Sequence, residues 1–421
     1  MASQTITAKG PNDKLDELPG RHRYVARQPI LDLHGKVRGY ELLFRSGPEE
    51  IFRGDGDHAT RTMLDNTVLF GLEKLTGGLP VFVNCTLEAL TGQLVDVLPP
   101  SMTVLEVLET IEPTPEVIAA CRRLKSLGFR LALDDFVWAP QFEPLVEIAD
   151  YVKVDFLQSG RDERRQLLRR LQCKATALLA EKIETQQDYE EACAEGFTLF
   201  QGYYFCRPTL LKHRAVPANR LSQFEILRAL KHSPLDLGAV SQLVKRDAGL
   251  TYRLLRLVNS PMCAVRQEIR SVRTALLVVG EDTFRRIAML AIVSEFNASQ
   301  PAEILRMALV RARFCELAST LCALDFTEQY LLGLFSLLPA MLQVSMTELT
   351  PALPLRDSIR DALLGAPGRE RCLLQWIESN ERGDWRQCDA IALSNGLDQD
   401  RLADYAGQAV EWAGTTLRLA I

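Results

Sequence analysis

Short apolar runs recur through the first half of the chain, as in Val81-Phe82-Val83, Val104-Leu105, Leu131-Ala132-Leu133 and Tyr151-Val152. Between them lie stretches of helical period, Pro115 to Ser126 and Asp162 to Leu171 among them. Consecutive rather than alternating apolar positions belong to strands covered on both faces, and strands that alternate with helices build parallel sheets. The region from Tyr24 to Gln201 is therefore predicted to be α/β, with a (β/α) barrel and a doubly wound sheet both compatible with the pattern. The segment from Pro208 through Pro217 holds two prolines and three basic residues and reads as a linker. From Leu221 onward the strand signals stop, and apolar residues such as Leu305, Ala308, Leu309, Ala312 and Cys315 recur at helical spacing with charges on the intervening face. The second half is predicted to be an all-α bundle.

A length of 421 residues exceeds what one hydrophobic core usually organises, so two domains are expected. The division predicted is a flexible tail at 1–20, an α/β domain at 21–210, a linker at 211–220 and a helical domain at 221–421. The hydrophobic fraction of 47% and charged fraction of 24% are those of ordinary globular protein, and no apolar run is long enough to span a bilayer. The stretch Met1 to Glu17 is polar and lacks a secretory pattern, so a cytoplasmic protein without membrane attachment is expected. Ten cysteines scattered from Cys85 to Cys388 without a CxxC pair read as buried free thiols. A net charge of -5 argues against a direct nucleic-acid partner.

Each early apolar run closes on a polar residue: Glu41, Asn84, Glu106, Asp134, Lys153, Glu181 and Gln201. Taken singly, each is as well explained by a helix cap or a solvated strand end. Taken together, their order and spacing suit a (β/α)8 barrel, whose units run to roughly 30 residues and whose C-terminal strand ends converge on one mouth. Crowded carboxylates repel one another, and a hard cation such as Mg2+ or Mn2+ relieves that repulsion while leaving positions for substrate oxygens. Metal-assisted hydrolysis of a phosphate ester is the chemistry that follows, with lysine neutralising developing charge.

At these residues the sequence resembles the EAL family of cyclic di-GMP phosphodiesterases, over roughly His22 to Pro208. The ExLxR signature is similar to Glu41-Leu42-Leu43-Phe44-Arg45, with Leu42 in place of the usual alanine; the family's strand-end asparagine matches Asn84, and its ExxE element Glu106 and Glu109. DDF matches Asp134-Asp135-Phe136, KxD matches Lys153-Val154-Asp155, AExxE matches Glu181 and Glu184, and Gln201-Gly202-Tyr203 matches the closing QGY. The resemblance implies that Glu41, Asn84, Glu106 and Asp134 hold one metal and that Asp135 reaches a second. It further implies that Lys153 and Glu181 orient or activate the attacking water, that Arg45 and Gln201 meet substrate, and that Glu109, Asp155 and Glu184 support the loops. Two departures stand out. Val137-Trp138-Ala139-Pro140 replaces the glycine-rich, serine-containing loop that helps active members place the second metal and couple dimerisation to catalysis, and Lys182 replaces a small residue.

The second half resembles the HDOD domain, a relative of HD-type phosphohydrolases, through Asp247, Leu250, Leu254-Leu255 and Asn259-Ser260, continuing at Ile269, Ser271-Val272, Ala275-Leu276 and Gly280. Where catalytic relatives carry a His-Asp pair, this chain has Gly333-Leu334-Phe335-Ser336-Leu337, and its five histidines all lie at or before His232. The helical domain is expected to make contacts rather than perform chemistry, and Asn259-Ser260 to serve as a self-capping helix terminus. The resemblance implies a signalling protein that hydrolyses cyclic di-GMP to pGpG with Mg2+ or Mn2+, regulated through the HDOD domain. That domain would take an unidentified protein partner, and the chain a homodimeric state. The alternatives are a degenerate EAL scaffold and an unrelated metal-dependent phosphodiesterase.

Overall fold

The computed structural model describes residues 24–45, 76–92, 94–171, 176–202, 221–230, 234–260, 267–298, 300–353 and 355–420, with Leu72, Tyr204, Cys263 and Val265 besides. The expected tail, the linker and Tyr203 lie outside the described residues. Eight strands close a barrel in sequence order: β1 (Tyr24–Asp32), β2 (Val37–Arg45), β3 (Val81–Cys85), β4 (Thr103–Val107), β5 (Arg130–Leu133), β6 (Tyr151–Asp155), β7 (Ala177–Glu181) and β8 (Leu199–Phe200). The doubly wound alternative is thereby excluded.

The barrel departs from a uniform βα repeat at its start. β1 runs antiparallel to both β2 and β8, whereas β2 to β8 pair in parallel. The cause is local: the Asp32 carboxylate accepts from the backbone N–H groups of His34 (2.8 Å) and Lys36 (3.0 Å), folding the chain into a hairpin before any helix can form.

Strand side chains alternate between two cores. Val81, Val83, Leu105, Val107, Leu131, Leu133, Val152, Val154 and Phe200 face outward into an apolar layer. Helices α1 (Pro115–Ser126), α2 (Arg161–Leu171) and α3 (Gln186–Glu195) flank the strands, and Val117, Cys121, Leu124, Leu167 and Ala192 add to that layer. Inward, Ile30, Phe82, Val104, Ala132 and Leu179 fill the barrel, joined by Tyr151 and Leu199. Each fully buried Val, Leu, Ile or Phe side chain among these stabilises the fold by ~1.5–3 kcal/mol before chain entropy is counted. Thr114 caps α1 by accepting from Val117 N, and Thr185 and Asp188 form a reciprocal capping box on α3.

The second half is all-α among its described residues. Helix α4 (Ala248–Val258) is capped by Asp247, and a long helix, α5 (Ala302–Cys322), runs through the core. It packs on α6 (Phe326–Phe335), α7 (Cys372–Glu381) and α8 (Gln399–Ala420), and Phe314 of α5 stacks on Trp376 of α7 at 5.1 Å. The apolar positions expected on one face are buried, and so are the charged Glu303, Arg306 and Arg311 of the same helix. Arg306 pairs with Glu303, and Arg311, 2% exposed, pairs with Glu381 at 2.6 Å and Glu378 at 3.4 Å. Paired in this way, a charged helix can sit inside a core.

The hairpin is also where the two halves meet. The Tyr40 hydroxyl donates to Glu303 Oε2 (2.9 Å), the Arg306 guanidinium lies 5.5 Å from the Tyr40 ring centre, and Gln28 Nε2 donates to the Arg382 carbonyl (3.3 Å). Among the described residues no helix is long and apolar enough to cross a membrane, and eight cysteines are free thiols, six of them buried.

Candidate metal centre

Two residues along from the inward apolar layer, each strand turns a polar side chain into the same space. Asn84 follows Phe82, Glu106 follows Val104, Asp134 follows Ala132, Lys153 follows Tyr151, Glu181 follows Leu179 and Gln201 follows Leu199. The pleat alone sets this, because residues i and i+2 share a face. Glu41, opposite Phe82 in the β2–β3 register, completes the ring.

Lys153 Nζ, 1% exposed, is the hub: it lies 2.6 Å from Glu106, 2.7 Å from Asp134, 2.8 Å from Glu181 and 3.3 Å from Glu41. Gln201 Nε2 donates to Glu41 Oε2 at 2.7 Å, and Asn84 Nδ2 to Glu41 Oε1 at 3.4 Å. Burial opposes the charge on Lys153, but the surrounding carboxylates outweigh it and hold its pKa well above the usual lysine value. Burial, then the Glu41 charge, pushes Glu106 well above the ordinary carboxylate range; burial against a partial offset from Lys153 pushes Glu181 up to about 8. One ammonium is thus too little positive charge for four carboxylates.

The donor set fits a hard divalent cation. Asn84 Oδ1, Glu106 Oε2, Asp135 Oδ1 and Gln201 Oε1 are buried oxygens without a hydrogen-bond partner, a costly condition that a cation relieves. Carboxylate oxygens of Asp134, Asp135 and Glu181 lie within 4.8 Å of one another. Asp135 and Lys182 both hold positive φ, 39° and 55°, which costs a non-glycine residue ~1–3 kcal/mol and is found where the surroundings over-determine it.

The remaining candidates scatter. Asp155 Oδ1 accepts from Leu157 N (2.7 Å) and Gln158 N (3.1 Å) in the turn after β6, while Oδ2 takes Lys182 Nζ at 2.5 Å. Glu109 stands exposed in the turn after β4, and Glu184 lies half-buried before the cap of α3, so neither joins the ring. The Arg45 side chain lies outside the described residues. A Cβ on Gly202 would run into the Ile183 backbone, which explains the glycine after Gln201. The Val137 to Pro140 segment folds into an aromatic cluster: the Phe136 ring meets Trp138 and Phe142 edge-on, and Arg170 covers Trp138 at 4.7 Å. Leu42 faces outward into the apolar layer, away from the ring.

Gln28 is a member of the ring's network that sequence reasoning missed. It accepts from Gln201 Nε2 at 2.9 Å and, through Arg382, touches the helical half. Because β1 runs backwards, its polar residue precedes the apolar Ile30 instead of following it, and the alternation Gln28-Pro29-Ile30 was the available signal.

In the helical half, the position expected for a His-Asp pair carries Ser336, whose hydroxyl accepts from Arg311 at 3.2 Å. A buried guanidinium, not a ligand set, occupies that ground. Asn259 closes α4 as expected, yet its side chain also reaches Ile269, donating to the carbonyl and accepting from the N–H, both at 2.7 Å. It is a strap across the following loop as well as a cap.

Family models match the chain twice, an EAL domain over residues 82–208 and an HDOD domain over 217–346. The uncharacterized protein YuxH of Bacillus subtilis is 35% identical over 400 residues, 92% of this chain and 97% of the relative. The cyclic di-GMP phosphodiesterase CdgJ of Vibrio cholerae is 34% identical over 403 residues, 94% of this chain and 93% of the relative. A solved standalone EAL protein from Vibrio cholerae, in its c-di-GMP-bound form, aligns over 44% of this chain and 90% of its own at 20% identity and a TM-score of 0.35. With both domains matched in order and two relatives aligned along nearly their whole length, the chain belongs to the family of proteins that join an EAL barrel to a helical HDOD domain.

Proposed function

We propose that the chain hydrolyses cyclic di-GMP to linear pGpG with Mg2+ or Mn2+ at the barrel mouth, under the control of its helical half. The observation that carries the reading is the ring of four carboxylates, Lys153, Asn84 and Gln201 around one space, with buried oxygens that lack hydrogen-bond partners. The activity named for the Vibrio cholerae relative supports the choice of substrate. Glu41, Asn84, Glu106 and Asp134 would hold one cation; the second cation that the family resemblance implies would fall to Asp135, against which the Lys182 ammonium lies. A bound divalent cation would polarise the phosphoryl oxygens and acidify water. Lys153 and Glu181 would orient that water, and Lys153 would offset charge developing on phosphorus oxygens. Arg45 and Gln201 would meet the substrate. The division into an EAL domain at 21–210 and an HDOD domain at 221–421 across a 211–220 linker, a cytoplasmic setting, a homodimer and a protein partner for the HDOD domain belong to the same proposal.

A second reading is favoured by Lys182, whose ammonium lies on Asp155 and Asp135, and by the short Val137 to Pro140 loop: a domain that binds cyclic di-GMP without cleaving it. Incubation of purified protein with cyclic di-GMP and Mg2+ or Mn2+, with pGpG measured by chromatography, separates the two. Turnover is expected, and Glu41→Gln should abolish it with far-UV circular dichroism unchanged. Arg45→Ala should chiefly raise KM. Binding without turnover across metals and pH selects the second reading, and neither binding nor turnover removes both.

A further inference from the structure

Lys182 is the first residue beyond β7, held at φ 55° with its ammonium 2.5 Å from Asp155 Oδ2 and 3.5 Å from Asp135 Oδ2. Asp135 is the same carboxylate that, with Asp134 and Glu181, could surround a cation, and it too stands at positive φ, 39°. Two strained backbone positions therefore bring a lysine and an aspartate together at the rim of the ring. Six carboxylates surround the mouth: Glu41, Glu106, Asp134, Glu181, Asp135 and Asp155. Lys153 lies among the first four, and Lys182 bridges the last two.

The geometry points to Lys182 as a tethered cation that stands in for a second divalent ion, so that the mouth holds one metal ion per chain instead of two. An ammonium on Asp135 supplies the positive charge that a second ion would bring and repels that ion at short range. It also occupies Asp135 Oδ2, one of the few oxygens the position offers to a cation that wants six ligands. The side chain is 44% exposed, so its removal opens the position without leaving a void in the core. The inference rests on reading the mouth as a divalent-cation site, and not on turnover.

The test counts ions in the full chain. Mn2+ is titrated into metal-free protein and followed by calorimetry, with free Mn2+ counted by electron paramagnetic resonance. Wild type is expected to bind one Mn2+ per chain, and Lys182→Gln and Lys182→Gly two; glycine also suits the backbone at this position. Lys182→Arg, which keeps the charge, should stay at one. Two ions in wild type, or one in both neutral variants with an intact circular dichroism spectrum, would overturn the inference. One ion rising to two without any hydrolysis of cyclic di-GMP would uphold it while removing the phosphodiesterase reading. No Mn2+ in any variant would remove both.

Discussion

Glu106 and Glu181 are the residues on which metal binding and protonation compete. Burial foremost raises both, Glu181 to about 8 from an ordinary value of 4.5. A carboxyl group raised in this way binds protons that the unfolded chain has already lost. Its contribution to stability is complete below pH 4.5 and is lost as pH rises through about 8. A divalent cation needs the ionised form, so binding must expel protons and apparent affinity must climb as pH rises towards about 8. Calorimetry of Mn2+ binding in buffers of different ionisation enthalpy should show net proton release at about pH 7, shrinking at about pH 9. Binding with no proton release at about pH 7 would mean that these carboxylates are already charged in the metal-free protein. The ring residues were legible in the sequence because the period-2 pleat repeats them strand after strand. The hub role of Lys153 was not, since only the closed barrel brings four distant carboxylates to within 3.3 Å of one amine.

Elements follow the same division between local and non-local causes. Pro115–Ser126 matches the helix expected there because its signals are local: Thr114 as cap, Pro115 in the first turn and an apolar stripe. The reversal of β1 turns on Asp32 and its turn, a short signal that the surrounding βα rhythm masks, and with it Gln28 was lost. In the helical half the period of α5 was legible, but the burial of Arg311 was not, because its partners Glu378 and Glu381 lie on another helix. The contribution of Gln28 to both halves is measurable. Gln28→Leu takes an acceptor from buried Gln201 and a donor from the Arg382 carbonyl. Losses of this kind cost about 1–3 kcal/mol when the orphaned group is buried. Urea denaturation should register that destabilisation, together with weaker Mn2+ binding through the loosened Gln201–Glu41 contact. A variant as stable as wild type, with unaltered Mn2+ affinity, would show that Gln28 only fills space.

Across the whole molecule the hairpin belongs to both halves. Tyr40 and Glu41 are neighbours on β2 and so point to opposite faces, Glu41 into the ring and Tyr40 to the buried Glu303 of α5. Any shift of α5 against the barrel therefore bears on a strand that carries a proposed metal ligand, with no intervening loop to absorb it. This contact pairs residues 263 positions apart, so neither the α/β rhythm of the first half nor the helical period of the second could announce it. Tyr40→Phe removes the hydroxyl that donates to Glu303 Oε2 and should cost about 1–3 kcal/mol in urea denaturation. Glu303→Gln should disturb the same contact from the other side. If the hairpin transmits the contact, both variants weaken Mn2+ binding several-fold in the full chain, and the double variant weakens it by less than the product of the two, because the residues share one interaction. Mn2+ affinities equal to wild type in both single variants, alongside the stability loss, would show that the helical half braces the barrel without reaching its mouth.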